Sequence, residues 1–142
     1  MINHTDLRLC WLKCQAALTA LGGWLGAFLG GVDGLLLALV AFAALDYLTG
    51  VLCAIADKTL SSAVGYRGIC RKALIFLLVG VGHVLDTHVA GGGAAVRTAV
   101  ICFYLSNEGI SLLENAARLG LPVPERLKNA LRQLHEGTDE HA

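Results

Sequence analysis

Charged residues divide the chain into long apolar segments separated by short polar ones. Residues 16–32 contain no charge, and residues 34–56 contain only Asp46. At about 1.5 Å per residue, one helix over both segments would be about 60 Å long, about twice the hydrocarbon core of a membrane. The glycine-rich interruption around Asp33 therefore predicts a hairpin of two helices that turns there.

The second half of the chain repeats this pattern. A polar loop over 57–72 is followed by a third apolar segment over 73–90, a breaker of three glycines over 91–93, and a fourth apolar segment over 94–113. The more polar part, 114–142, continues the fourth helix to Gly120 and then, after Pro122 and Pro124, forms a short amphipathic helix. We predict an all-α membrane protein with four transmembrane helices in a single membrane domain over 1–142.

Composition and charge support this prediction. Apolar residues make up 56% of the chain and charged residues 15%, whereas soluble domains carry about 25% charged residues. Net charge is zero, so the chain lacks the basic surface that a nucleic-acid partner requires. In the four-span arrangement one side of the membrane receives Arg97 alone, and the other side receives Arg8, Lys13, Lys58, Arg67, Arg71, Lys72, Arg118, Arg126, Lys128 and Arg132.

This asymmetry predicts that both termini and the 57–72 loop are cytoplasmic, because cytoplasmic loops carry the excess of Lys and Arg. An arrangement of three spans, with 16–32 lying at the membrane interface, stays open because 16–32 is short for a span.

Several polar side chains interrupt the apolar helices. An ionised group at the bilayer centre costs about 2.5–3.5 kcal/mol on insertion scales, so such groups face a neighbouring helix or water. They either hydrogen-bond to one another inside a closed bundle or form the wall of an aqueous lesion, and as a set we favour the lesion. The candidates for this pore or polar seam are Asp46, His83, Asp86, Asn107, Glu108 and Ser111.

Glycines mark the faces where helices can approach closely. Gly22, Gly26, Gly30 and Gly34 recur at every fourth residue, as overlapping G-x-x-x-G units that allow close helix packing in lipid. Gly50 shares a small, polar face of the second helix with Asp46. Packing within one subunit and packing between subunits both remain open.

No catalytic or metal-binding pattern is visible. The five cysteines are odd in number and lack paired C-x-x-C spacing, which indicates neither a disulfide framework nor a zinc site. His83 and Asp86 are too few to bind a metal by themselves. We expect no cofactor, no metal and no enzymatic activity.

A set of spaced motifs resembles the bacteriophage holins of the toxin-secretion and phage-lysis type. The resemblance covers about residues 45–134, and its most specific element is the Asn107–Asn115 stretch. The matching residues are Asp46, Tyr47, Thr49, Gly50, Ser61, Ser62, Lys72, Asn107, Glu108, Ser111, Glu114, Asn115, Pro122 and Pro124.

The resemblance implies a multi-pass protein of the bacterial cytoplasmic membrane that forms homo-oligomers and permeabilises the lipid bilayer. Its functional partner would be a cell-wall-degrading endolysin or a secreted toxin, released during cytolysis. Two alternatives stay open. One is a small channel or transporter with a relay of Asp46, His83, Asp86 and Glu108, and the other is a non-conducting, antiholin-like regulator.

Overall fold

A computed structural model describes residues 4–139 of the chain. This part contains five helices and no strand: α1 (His4–Phe28), α2 (Gly34–Ala56), α3 (Ser62–His88), α4 (Ala95–Arg118) and α5 (Glu125–Asp139). The predicted all-α fold is confirmed. Within the described residues two helices, α2 and α3, are long and apolar enough to cross a membrane. The four-span arrangement and the orientation of the termini stay predictions.

The first helix differs from the expected 16–32 segment at both ends. It begins at His4, because its polar first turns are compatible with a helix, and it ends at Phe28. Gly30 and Gly31 follow with φ angles of 80° and 91°, which end the helix in a left-handed turn. Of the four glycines at every fourth residue, Gly22 and Gly26 lie on α1, Gly30 lies in the turn and Gly34 begins α2. The Gly22–Gly26 unit is therefore the one that lies within a single helix, and its role in packing stays a prediction.

The third helix begins earlier than the apolar pattern indicates. We expected a loop over 57–72, but only 57–61 connect the two helices. Ser61 caps α3 by accepting a hydrogen bond of 3.3 Å from the N–H of Val64. The polar stretch from Ser62 to Lys72 is therefore helical, and Lys72 occupies a fixed position on a helix face.

The three central helices form the core. The core cluster joins all three, and its fully or nearly fully buried members are Leu36, Leu39, Ile75, Val79 and Ile101. Ion pairs mark the two ends of the α2–α4 pair: Asp33 meets Arg97 at one end, and Asp57 meets Arg118 at the other. Helices α2 and α4 are therefore parallel. Helix α3, which lies between them in the sequence, runs antiparallel to both.

Two glycines admit neighbouring elements to this core. A β-carbon on Gly82 would lie 3.1 Å from the Cα atom of Arg97, so the backbone of α4 approaches α3 closely at its first turn. A β-carbon on Gly109 would lie 2.9 Å from Leu131 Cδ1 and 3.1 Å from Phe42 Cε1. Helix α5 thus folds back along α4 and seats Leu131 at that glycine.

Candidate functional site

A charge network joins α2, α3 and α4. The Lys72 ammonium on α3 lies 2.5 Å from Asp46 Oδ2 on α2 and also pairs with the Glu108 carboxylate on α4. All three side chains are at most 15% exposed. One cation thus serves two carboxylates in a mostly buried position, where removing it would leave both acids without a counter-charge.

Asn115 extends this network along α2. Its side-chain amide donates hydrogen bonds of 3.1 Å to Asp46 Oδ1 and 3.2 Å to Thr49 Oγ1. The thiol of Cys53 donates to the backbone carbonyl of Asn115 at 3.4 Å. The small, polar face predicted for α2 therefore packs against α4 rather than against lipid.

A second network lies at the opposite end of the bundle. The buried Arg97 guanidinium donates to the carbonyls of Leu29 (2.6 Å) and Gly31 (3.0 Å) and pairs with Asp33 Oδ2 at 2.5 Å. These contacts hold the α1–α2 turn against the start of α4. The hydrogen bond from Arg97, together with one from the N–H of Leu36, lowers the pKa of Asp33 below its usual value.

Asp86 belongs to this second network. Its two carboxylate oxygens accept hydrogen bonds from the backbone N–H groups of Val96 (2.9 Å) and Arg97 (2.8 Å), and it is 1% exposed. His83 lies at the same end, because its Nδ1 atom is 2.7 Å from the position that a β-carbon on Gly30 would take. Asp86 therefore acts on the first turn of α4, as a cap supplied by another helix.

The structure thus divides the six candidates for a polar seam. Asp46 and Glu108 share Lys72, whereas His83 and Asp86 lie at the other end of the helices. Ser111 lies near the first network, and Asn107 is half-buried without a side-chain hydrogen bond in the described part of the chain. The relay of four groups that the transporter alternative requires is not continuous through these contacts.

A cleft of about 410 Å³ opens beside the Lys72 network. Most residues of the holin-like motifs in the α2–α4 region meet in it, although they come from separate stretches of sequence. Its lining consists of Asp46, Tyr47, Gly50, Val51, Ala63, Val64, Gly65, Arg67, Gly68, Arg71, Lys72, Ser111, Glu114 and Asn115. Ser61, Ser62, Pro122 and Pro124 lie at helix ends instead, where they start α3 or separate α4 from α5.

Sequence reasoning missed two cations as members of these networks. Lys72 was counted as a basic motif residue of the 57–72 loop and Arg97 as the one basic residue on the far side of the membrane, and neither was predicted to pair with an acid. The serine cap at Ser61 was a readable sign that α3 starts before Lys72.

No three His, Cys, Asp or Glu side chains within residues 4–139 are grouped so that they could hold a metal ion.

Comparisons with known proteins place these features in a family. A model described as the bacteriophage holin family matches residues 23–136. An uncharacterized 14.9 kDa protein in the nagH 3′ region of Clostridium perfringens is 47% identical over 106 residues, covering 75% of this chain and 80% of that protein. An uncharacterized protein of Listeria monocytogenes is 44% identical over 110 residues, 78% of each chain.

A phage protein is among the relatives. A probable holin of Bacillus phage phi105 is 34% identical over 96 residues, which are 68% of this chain and 70% of the phage protein. No solved structure matches the chain. The family match extends over most of the sequence and includes both charge networks, and the chain belongs to the bacteriophage holin family.

Proposed function

We propose that the protein acts as a holin, which assembles as a homo-oligomer in the bacterial cytoplasmic membrane and permeabilises it to release an endolysin or a toxin. Family membership carries this proposal. The outward faces of α2 and α3 support it, because they present large apolar side chains such as Leu48 (57% exposed) and Leu74 (59% exposed). Apolar surface of this extent suits contact with lipid or with other copies.

The proposal includes four spans with cytoplasmic termini. Helices α1 and α4 have 25 and 24 residues, which is long enough to cross a hydrocarbon core of about 30 Å. Helix α4 carries Arg97 and Glu108, but Glu108 pairs with Lys72 on α3 and Arg97 pairs with Asp33 in the α1–α2 turn. A paired charge is less costly inside a membrane than a free one.

The Lys72 network supports a switch between closed and open subunits. In the protomer Asp46 and Glu108 face Lys72 between the helices, so a lumen lined by them requires the network to rearrange. Polar contacts between membrane helices are worth about 0.6–2 kcal/mol each, which keeps alternative pairings close in energy. We propose that Lys72 exchanges carboxylate partners between neighbouring subunits when a lesion opens.

Expression in a bacterium, with and without a cytoplasmic endolysin, tests this function. We expect dye leakage in both cultures and a fall in culture density when the endolysin is present. Leakage without endolysin release would support a small depolarising pore. Absence of leakage from membrane-inserted protein would contradict the proposal and favour a regulator.

Two substitutions test the assignment of the polar seam. Asp46→Leu and Glu108→Leu should leave membrane insertion intact and abolish lysis, because leucine cannot pair with Lys72. Ala44→Leu and Ala99→Leu are matched controls, since both alanines are exposed on the same helices. Unchanged lysis timing in both acidic-residue variants would contradict the assignment.

A further inference from the structure

Helix α5 packs along α4, and among the α5 side chains that the structure describes Leu131 is the buried one. Leu131 is 8% exposed, and its methyl groups fill the notch at Gly109 beside Phe42. Leu127, about one turn earlier on α5, is 47% exposed. The seat of Leu131 at Gly109 is therefore one contact by which α5 docks on the bundle.

This contact lies at an unfavourable depth for a charged helix. Phe42 lies near the middle of α2, and Gly109 lies near the middle of α4. If these helices cross a bilayer, Leu131 lies near the bilayer centre. Helix α5 carries three acidic and three basic residues, and it continues beyond Leu131 to Asp139 for about two more turns.

Charged side chains at that depth are unfavourable when lipid surrounds the helix. The docked position of α5 and a lipid-covered α2–α4 face therefore exclude each other. Burial of Leu131 shows that the docked position is a packed one, so α5 has two competing environments: the groove at Gly109 and the aqueous surface of the membrane.

We propose that α5 is a releasable strap that covers the α2–α4 groove at Gly109 and must leave it before a lesion forms. The proposal rests on the holin function proposed above. Release opens a notch at the level of the bilayer centre, where a small residue allows another helix to approach closely. The occupant that follows is a helix of a second copy, because assembly of copies is what the proposed function requires.

The first test weakens the strap without removing it. Leu131→Asp in the full chain should shift the onset of dye leakage to an earlier time at equal accumulation, and should increase cross-linking between copies. Leu127→Asp is the matched control and should behave like the parent, because Leu127 is already exposed. Unchanged, delayed or abolished leakage with Leu131→Asp would overturn the proposal.

The second test locks the strap. Phe42→Cys and Leu131→Cys are introduced into a chain whose five natural cysteines are replaced by alanine, and the two thiols are joined with a reducible bifunctional reagent. In dye-loaded vesicles of phosphatidylethanolamine and phosphatidylglycerol we expect no leakage from the locked protein and recovery of leakage after reduction. Leakage that the lock leaves unchanged, relative to the two single-cysteine variants, would overturn the strap.

Labelling separates this proposal from the holin function. A membrane-impermeant maleimide should react with the thiol at position 131 in vesicles and much more slowly when α5 is docked in the purified, vesicle-free protein. If the parent protein causes no leakage but the labelling still differs in this way, the holin function is contradicted and the strap is not. Equal labelling in both environments would defeat the strap alone.

Discussion

Asp86, near the end of α3, accepts a hydrogen bond of 2.8 Å from the backbone N–H of Arg97 in the first turn of α4. Its other carboxylate oxygen accepts from the N–H of Val96 at 2.9 Å. The N-cap residue of α4 is Ala94, whose side chain offers no acceptor. An α3 side chain therefore supplies the cap that the sequence before α4 lacks, and it joins the two helices at this end.

Asp86→Leu should lower the free energy of unfolding by about 1–3 kcal/mol, because two N–H groups near a helix start lose their acceptor. Asp86→Asn keeps one acceptor oxygen and should lose less. Equilibrium unfolding in detergent, followed by circular dichroism, measures both. Thr87→Ala is the control, since in the described part of the chain the Thr87 hydroxyl donates to the His83 carbonyl on its own helix. Equal losses for leucine and asparagine would contradict a capping role.

The Lys72 network predicts strong coupling between three helices. Lys72→Met should lower the free energy of unfolding by about 3–5 kcal/mol, because it leaves Asp46 and Glu108 mostly buried without a cation. Adding Glu108→Gln to this variant should recover part of the loss, since one of the two acids is then neutral. A double-mutant cycle in detergent measures this coupling, and a coupling energy of zero would show that the ion pair contributes nothing.

The sequence predicted which faces are polar but not which groups meet. Asp46 and Glu108 were predicted to face a neighbouring helix or water, because an ionised group at the bilayer centre is costly when it faces lipid. Lys72 was hidden because its polar neighbours indicated a loop, although polar residues also form the ends of long helices. The hydrophobic pattern marks where lipid lies and does not mark where a helix begins.

Contacts of Arg97 and Leu131 were beyond sequence reasoning for another reason. Arg97 binds backbone carbonyls in the α1–α2 turn, and any residue type offers a carbonyl, so no pattern records this pairing. The hydrophobic pattern predicted a short amphipathic helix after Pro124, and in the structure this helix is α5, Glu125–Asp139. The contact of Leu131 with Gly109 depends on how the α4–α5 connection turns the chain, and the hydrophobic pattern of α5 does not predict that turn.

Asp33 predicts a pH dependence of stability. Its pKa is lowered in the folded protein, chiefly by the Arg97 hydrogen bond, from a usual value of 3.8. A lowered folded-state pKa gives a stabilisation that is present above pH 3.8 and is lost as the pH falls through the folded-state value. The effect should be small, because the Asp33 side chain is 47% exposed and solvent screens the pair.

Asp33→Asn isolates the charge, because asparagine keeps the helix cap to Leu36. The difference in unfolding temperature between parent and variant should be constant near neutral pH and should shrink below pH 3.8. Asp33→Ala, which removes both the charge and the cap, should retain a difference from the parent at the lowest pH. A parent–asparagine difference that does not change with pH would contradict the ion pair with Arg97.

Gly82 and Gly26 should respond in opposite directions to the same substitution. Gly82→Ala places a methyl group 3.1 Å from the Arg97 Cα atom. Because a helix backbone cannot move away without disturbing its packing, we expect a loss of about 1–3 kcal/mol in the free energy of unfolding. Within residues 4–139 no neighbouring atom lies within 4 Å of a β-carbon built on Gly26, so Gly26→Ala should stabilise α1 by about 0.5–1 kcal/mol.

Cross-linking between copies gives the Gly26 variant a second measurement. Since no described residue that the chain packs against α1 lies within 4 Å of a β-carbon built on Gly22 or Gly26, we expect the G-x-x-x-G unit on α1 to pack between subunits in the proposed oligomer. Gly26→Ala should then reduce the yield of cross-linked copies in membranes while the protomer itself becomes more stable. An unchanged yield, with the stability gain intact, would show that this face contacts lipid and that the copies meet elsewhere.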